Sequence, residues 1–133
     1  MEYIRYVLTA IVSTTAYLVG GWDKAMKVLL VLIIIDYVTG LIKSAFNGEL
    51  DSKVGFKGII KKVCIFIVVA VAVQIESFLG QPESLHNVVI YFYVVNESIS
   101  VLENVGDFIP IPDELKKFIK RLRGKDKEGG KKK

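Results

Sequence analysis

The residues with chemistry to offer are acids set inside apolar sequence. Asp36 interrupts the dense run Val28-Leu29-Leu30-Val31-Leu32-Ile33-Ile34-Ile35. Asn96-Glu97-Ser98-Ile99-Ser100-Val101-Leu102-Glu103-Asn104 closes a second apolar run, at 88–95, with two carboxylates, two asparagines and two serines. An ionised acid at the centre of a membrane helix costs on the order of 2.5 to 3.5 kcal/mol, so such a group is paired, protonated or set beside a cavity. At about 100° per residue, Asn96, Glu97, Ser100, Glu103 and Asn104 share an arc of roughly 120°, Ser98 points away, and Ile99, Val101 and Leu102 take the remaining side. Asp36, Gly40 and Lys43 fall at i, i+4 and i+7 on one face, where Lys43 can snorkel to the membrane surface and Gly40 would admit a second backbone. These eight residues are the candidate site. The face can line water, join helices of different copies at roughly 1 kcal/mol per hydrogen bond, or fix packing within one molecule.

Soluble chemistry is hard to build from the rest. His86 is the only histidine, expected at an extracytoplasmic boundary as a surface residue, and no Cys or His pair has zinc spacing. Cys64 has no internal disulfide partner and reads as a small buried or lipid-facing filler. Gly48, Gly55 and Gly58 make no phosphate-binding fingerprint and read as turns in a loop. No enzyme activity, cofactor or metal is expected.

These acids need long apolar helices to hold them. In 133 residues the hydrophobic share is 52%, and mean hydropathy is positive. Valine-rich runs could be buried strands, but the chain lacks polar and apolar alternation, and a soluble domain this small could not bury four long apolar stretches. The expected fold is an all-α integral membrane protein with a transmembrane domain at 1–112. Its spans are about 4–21, 25–42, 62–80 and 86–105, and a three-span version leaves one segment in the interface. A cleaved signal peptide fits segment one poorly, because Glu2 offsets Arg5 and no small-residue cleavage site leads into a soluble domain. A stripe of small residues in that segment, Thr9, Ser13, Ala16 and Gly20, suits close helix contact.

Charge sets the orientation. The connection at 43–61 carries Lys43, Lys53, Lys57 and Lys61 against Glu49 and Asp51, whereas that at 76–85 carries Glu76 and Glu83 and no basic residue. The positive-inside bias puts the first in the cytoplasm, the second outside, and both termini inside. The tail at 113–133 holds ten basic residues against four acids. Asp113 reads as an N-cap, and Leu115, Phe118, Ile119 and Leu122 recur at helical spacing, giving a short basic amphipathic helix to about 123. Lys116, Lys117, Lys120, Arg121 and Arg123 are placed to meet anionic lipids of the inner leaflet, and 125–133, without an apolar residue, is expected to be disordered. Nucleic acid is not an expected partner, since the basic stretch adjoins a membrane segment without aromatic interleaving.

Taken in order, Asp36-Tyr37-Val38-Thr39-Gly40, the stretch from Ser52-Lys53-Val54-Gly55 to Lys61-Lys62, and Asn96 to Asn104 followed by Ile109-Pro110-Ile111-Pro112 resemble the bacteriophage holins of the phage-lysis and toxin-secretion type. The resemblance covers roughly residues 25 to 120. It departs at Asp107-Phe108, where the family pattern is more apolar and glycine-rich. It implies a small protein of the bacterial cytoplasmic membrane that self-associates and permeabilises the membrane at a set time. A cell-wall hydrolase or a large toxin then escapes without needing direct contact. A small proton-coupled multidrug or ion transporter, or a membrane scaffold, could use the same carboxylates.

Overall fold

The computed structural model describes residues 1–80 and 85–131, with side chains through Gly124, and the described residues are all helical or in short connections. In chain order the elements are α1 (Glu2–Val19), α2 (Lys24–Phe46), α3 (Ser52–Leu79), α4 (Leu85–Gly106) and α5 (Asp113–Lys131). Local chemistry sets several ends. The Asp23 carboxylate accepts from the Met26 N–H at 2.9 Å, and that of Asp51 from the Val54 N–H at 2.8 Å, so each supplies an acceptor that the first turn lacks. Gly20 (φ 83°) and Gly80 (φ 65°) close α1 and α3 in the left-handed conformation that side chains resist.

α3 begins ten residues before the expected position 62. Of the three glycines expected in turns, only Gly48 (φ 72°) is in one. Gly55 and Gly58 lie inside α3 against the Tyr37 ring of α2. The Tyr37 hydroxyl donates to the Gly55 carbonyl at 3.2 Å, and a Cβ at Gly58 would come within 3.1 Å of Tyr37 Cε2. Absence of a side chain here makes room for an aromatic ring, not a bend. Composition cannot separate those two uses of glycine.

The bundle follows a 3-4 alternation. Met26, Leu29, Ile33 and Asp36 are the buried positions of α2, and Ile65, Val69, Ala72 and Glu76 those of α3. That spacing is the seam of helices packed knobs-into-holes, and it keeps each face turned inward along the whole helix. α2 packs chiefly on α4, and α3 packs on both α4 and α2. Asp36 meets Asn104 and Lys43 meets Asp107, so α2 and α4 run parallel, with α3 antiparallel between them in the chain. The core of Val19, Met26, Leu29, Ile33, Ile65, Val69 and Ile90 fills the half of the bundle away from the α2–α3 turn.

The outside is apolar. Val31, Ile34, Ile35, Val38, Ile67, Val71, Val88 and Phe92 are all exposed, whereas Asp36, Glu76, His86 and Glu97 are only 5 to 6% exposed. Charge inside and aliphatic surface outside invert the pattern of a protein dissolved in water. Among the described residues three helices, α2, α3 and α4, are long and apolar enough to cross a membrane. At 1.5 Å per residue α3 is about 42 Å long, more than the roughly 30 Å of a hydrocarbon core, which leaves length at its start for Lys53 and Lys57 to lie outside it.

The first expected span, 4–21, forms a helix, but Glu2, Arg5 and its hydroxyl residues dilute its apolar surface, and α1 is not among these three. α1 lies along α3. Gly20 sits against Val73, and the Trp22 indole donates to the Val12 carbonyl at 3.4 Å while its ring meets Phe66 edge-on at 6.4 Å. Of the small stripe only Ala16 and Gly20 approach the bundle. Thr9 and Ser13 remain exposed, and Thr9 turns its hydroxyl back onto the Arg5 carbonyl.

α5 corrects the tail. It continues to Lys131, past Arg123 where the apolar pattern ends and into the stretch expected to be disordered. Lysine and glutamate are good helix formers, so a lack of apolar residues need not end a helix. Asp113 is its first residue, not the cap before it.

The Gly58 contact gives a prediction. Gly58→Val overfills the gap, and the detergent-solubilised protein loses about 1–3 kcal/mol of stability in thermal unfolding. Adding Tyr37→Ala restores part of that loss; strict additivity would show that the crowded partner is another residue.

Candidate functional site: a charge cluster between three helices

The seam turns polar toward the end where α2 stops and α3 starts. Lys62, on α3, reaches across with its ammonium and bonds both Asp36 Oδ2 of α2 and Glu97 Oε2 of α4, the latter at 2.7 Å. The Lys62 side chain is 20% exposed, against 7% for Asp36 and 8% for Glu97. One cation therefore ties three helices through two acids. Asn104 completes the far side of Asp36. Its Nδ2 donates to Asp36 Oδ1 at 3.0 Å, to Thr39 Oγ1 at 3.0 Å and to the Asp36 carbonyl at 3.3 Å. The Ser100 side chain also hydrogen-bonds Asp36. Among the described residues no buried side-chain nitrogen or oxygen lacks a partner. That is the condition under which charge survives in an apolar interior.

The polar arc of the α4 segment is split by the seam. Glu97, Ser100 and Asn104, its inner half, face α2 and α3, whereas Asn96 and Glu103, its outer half, are exposed. A two-helix seam is narrower than the arc, so it takes only one edge of it. Gly40 faces Asn104, and a Cβ there would lie 3.7 Å from Asn104 Nδ2; what approaches Gly40 is a side chain, not a backbone. Lys43 is partly buried and pairs with Asp107 at 3.1 Å, just beyond α4. Beside it Phe108 meets Phe46 edge-on at 5.1 Å. Asp107-Phe108, the departure from the family pattern, thus fastens the end of α4 to the end of α2.

The sequence reading did not find Lys62. It stands at the expected start of the third span, where nothing in its type or spacing marks it as a partner for the acids. The signal was the unmet demand of Glu97 and Asp36 for a cation, together with the 3-4 register that continues from Ile65 back through Lys62 to Gly58 and Gly55. Thr39 was missed for a similar reason, since its hydroxyl back-bonds to the Ile35 carbonyl at 2.8 Å and still accepts from Asn104.

The opposite end holds a second pair. Glu76 of α3 accepts the His86 N–H at 2.5 Å with Oε1 and lies 2.7 Å from His86 Nδ1 with Oε2. His86, expected at the surface, is buried, because the first turn of α4 needs an acceptor and the carboxylate that serves it also takes the ring. Cys64 is exposed on α3, not buried.

A polar seam enclosed by three lipid-facing helices and joined to a basic helix narrows the choice of families, and sequence comparison decides it. Residues 13–124 match the bacteriophage holin family. The chain belongs to that family. A probable holin of Bacillus phage phi105 is 37% identical over 98 residues, 73% of this chain and 72% of the phage protein. An uncharacterised protein of Listeria monocytogenes is 48% identical over 104 residues, covering 77% of this chain and 74% of its own. An uncharacterised 14.9 kDa protein of Clostridium perfringens is 38% identical over 127 residues, 94% of this chain and 96% of the relative. No solved structure matches the chain. The matched span of this holin-family chain takes in the whole charge cluster and the start of α5.

Removing charges from the cluster singly should have unequal effects. Lys62→Met leaves two buried carboxylates without a cation and costs about 3–5 kcal/mol of bundle stability. Glu97→Gln leaves one acid and one base and costs about 1–2 kcal/mol, in the range of a weakened charged hydrogen bond. Thermal unfolding in neutral detergent reads the order; equal losses would show that the ammonium is not the shared tie.

Proposed function

We propose that this chain is a holin that accumulates in the bacterial cytoplasmic membrane, associates with further copies and permeabilises the membrane at a set time. The lesion lets a cell-wall hydrolase, or a large toxin, reach the outside without direct contact. The observation that carries this reading is the Asp36–Lys62–Glu97 cluster, with Asn104 and Ser100 around it. The chain keeps in its interior polar surface that an isolated membrane bundle has no need to store. While satisfied internally, this surface is compatible with lipid outside. When many copies associate, the same groups can turn toward water or toward neighbouring copies, because the hydrogen bonds they lose within one chain are replaced.

In the resting form α2, α3 and α4 cross the membrane. α1 lies along α3 as a fourth, less apolar span, and both ends of the chain face the cytoplasm, where Lys53, Lys57 and Lys61 and the basic tail gather. Asn96, already exposed on α4, is the first contact for another copy. The Thr9, Ser13, Ala16 and Gly20 stripe of α1 offers a second. Lys62 is the latch, since its single charge is shared, and losing either acid contact frees a helix to rotate its polar edge outward.

Inducible expression in a bacterium with a co-expressed cytoplasmic cell-wall hydrolase tests the proposal. Membrane potential holds, then collapses abruptly after a delay, with hydrolase escaping, and Glu97→Gln at equal membrane level advances the collapse. Potential and viability that persist at high expression would contradict lesion formation and favour a transporter or scaffold. A collapse whose timing Glu97→Gln leaves untouched would contradict the latch.

A further inference from the structure

A second feature lies outside the charge cluster. Where α4 ends and α5 folds back, an open cavity of about 600 Å³ separates the two helices. Lys43, Lys116, Lys120 and Arg123 line it, with Glu103 and Asp107 as its acids. Asp107 is already engaged by Lys43 at 3.1 Å. That leaves Lys116, Lys120 and Arg123 against Glu103. The three cations stand at i, i+4 and i+7, on one face of α5, where like charges repel each other unless an anion sits among them. Lys117 and Arg121, the other basic residues of this turn, do not line the cavity.

The cavity is also amphipathic. Ile99 and Leu102 of α4 and Ile119 of α5 contribute apolar wall. Ile99 and Leu102 belong to a helix apolar enough to cross the membrane, while the basic residues belong to the helix that follows it. A basic rim above an aliphatic wall at the end of a span matches one ligand chemistry in full. A phosphodiester would sit among Lys116, Lys120 and Arg123, and the first part of an acyl chain would lie along Ile99 and Leu102. Free phosphate would use the rim and leave the wall unfilled. The volume is that of an ordinary small-ligand pocket.

We propose that the cleft between α4 and α5 is a specific site for one anionic glycerophospholipid of the cytoplasmic leaflet. This rests on the membrane placement proposed above and deepens it, replacing a diffuse basic tail with a defined pocket. A lipid held there joins α5 to α4 at Glu103, next to the end of the seam that carries Asn104.

The test uses the full chain, stripped of lipid, in a neutral maltoside micelle, so that no charged surface contributes. Phosphatidylglycerol, phosphatidylcholine of the same chain length and water-soluble glycerol phosphate are titrated, with binding read by native mass spectrometry. One phosphatidylglycerol is held per chain, and phosphatidylcholine is not. Lys120→Gln with Arg123→Gln weakens that binding about tenfold or more, as expected for losing charged hydrogen bonds. Lys117→Gln with Arg121→Gln, which removes the same charge from the same helix, changes it by no more than about twofold, since exposed charges away from the ligand are worth little. Leu102→Trp fills the apolar wall at unchanged charge and also blocks binding, which keeps the test valid if the first pair loosens α5. Equal losses from both charge pairs would overturn the site, as would equal retention of the two lipids. Displacement by glycerol phosphate at matching concentration would overturn the lipid as its ligand. Neither lysis nor potential is read, so failure here leaves the holin proposal standing, and failure there leaves this one.

Discussion

A single ammonium shared by two carboxylates is the constraint around which this bundle is arranged. Lys62 stands on the helix between the two acids in the chain, and neither Asp36 nor Glu97 could remain ionised in an apolar seam without it. The rest of the polar half follows from that need. Asn104 and Ser100 donate to the acid that Lys62 only half satisfies. Thr39 accepts from Asn104, and Gly40 leaves a smooth surface beside it. Tyr37 fills the space left by Gly55 and Gly58 on the helix that carries Lys62, holding α3 at the distance from which its side chain can reach both acids.

The two halves of the seam have different roles. Away from the α2–α3 turn, Met26, Leu29, Ile33, Val69 and Ile90 pack without polar atoms, and Glu76 with His86 closes that end by satisfying the first turn of α4. The apolar half holds the helices together by packed contact. The polar half fixes rotation, because hydrogen bonds with two or three partners lose their geometry within a small angle. A bundle built this way has one well-defined register, set in its polar half, and the change of assembly proposed above would have to release it there.

Much of this was legible from residue type and spacing. The apolar lengths, the charge bias between them and the acids inside them gave a helical membrane protein with its polar surface on α2 and α4, and the order of the motifs gave the family. What could not be read was pairing across helices. A wheel projection put Asn96 and Glu103 on the same arc as Glu97, and only the width of the seam separates them. Lys62 reads as the first residue of the third span because the apolar run begins after it, whereas α3 itself begins ten residues earlier, at Ser52. His86 looked superficial because histidine at a helix end commonly is, and nothing local to it announces Glu76. Gly55 and Gly58 read as turns for want of Tyr37, which lies 18 and 21 positions earlier.

In the mechanism proposed above, the polar seam is closed at rest and opens when the membrane is permeabilised. Ser100 lies in that seam against Asp36, and the chain has one native cysteine, Cys64, so Ser100→Cys in a Cys64→Ala chain gives a single reporter. Its labelling by a small, charged thiol reagent is followed in inverted membrane vesicles before and after collapse of the potential. Protection before collapse and rapid labelling after it are expected. Labelling from the outset would contradict a closed seam, and lasting protection after collapse would contradict its opening.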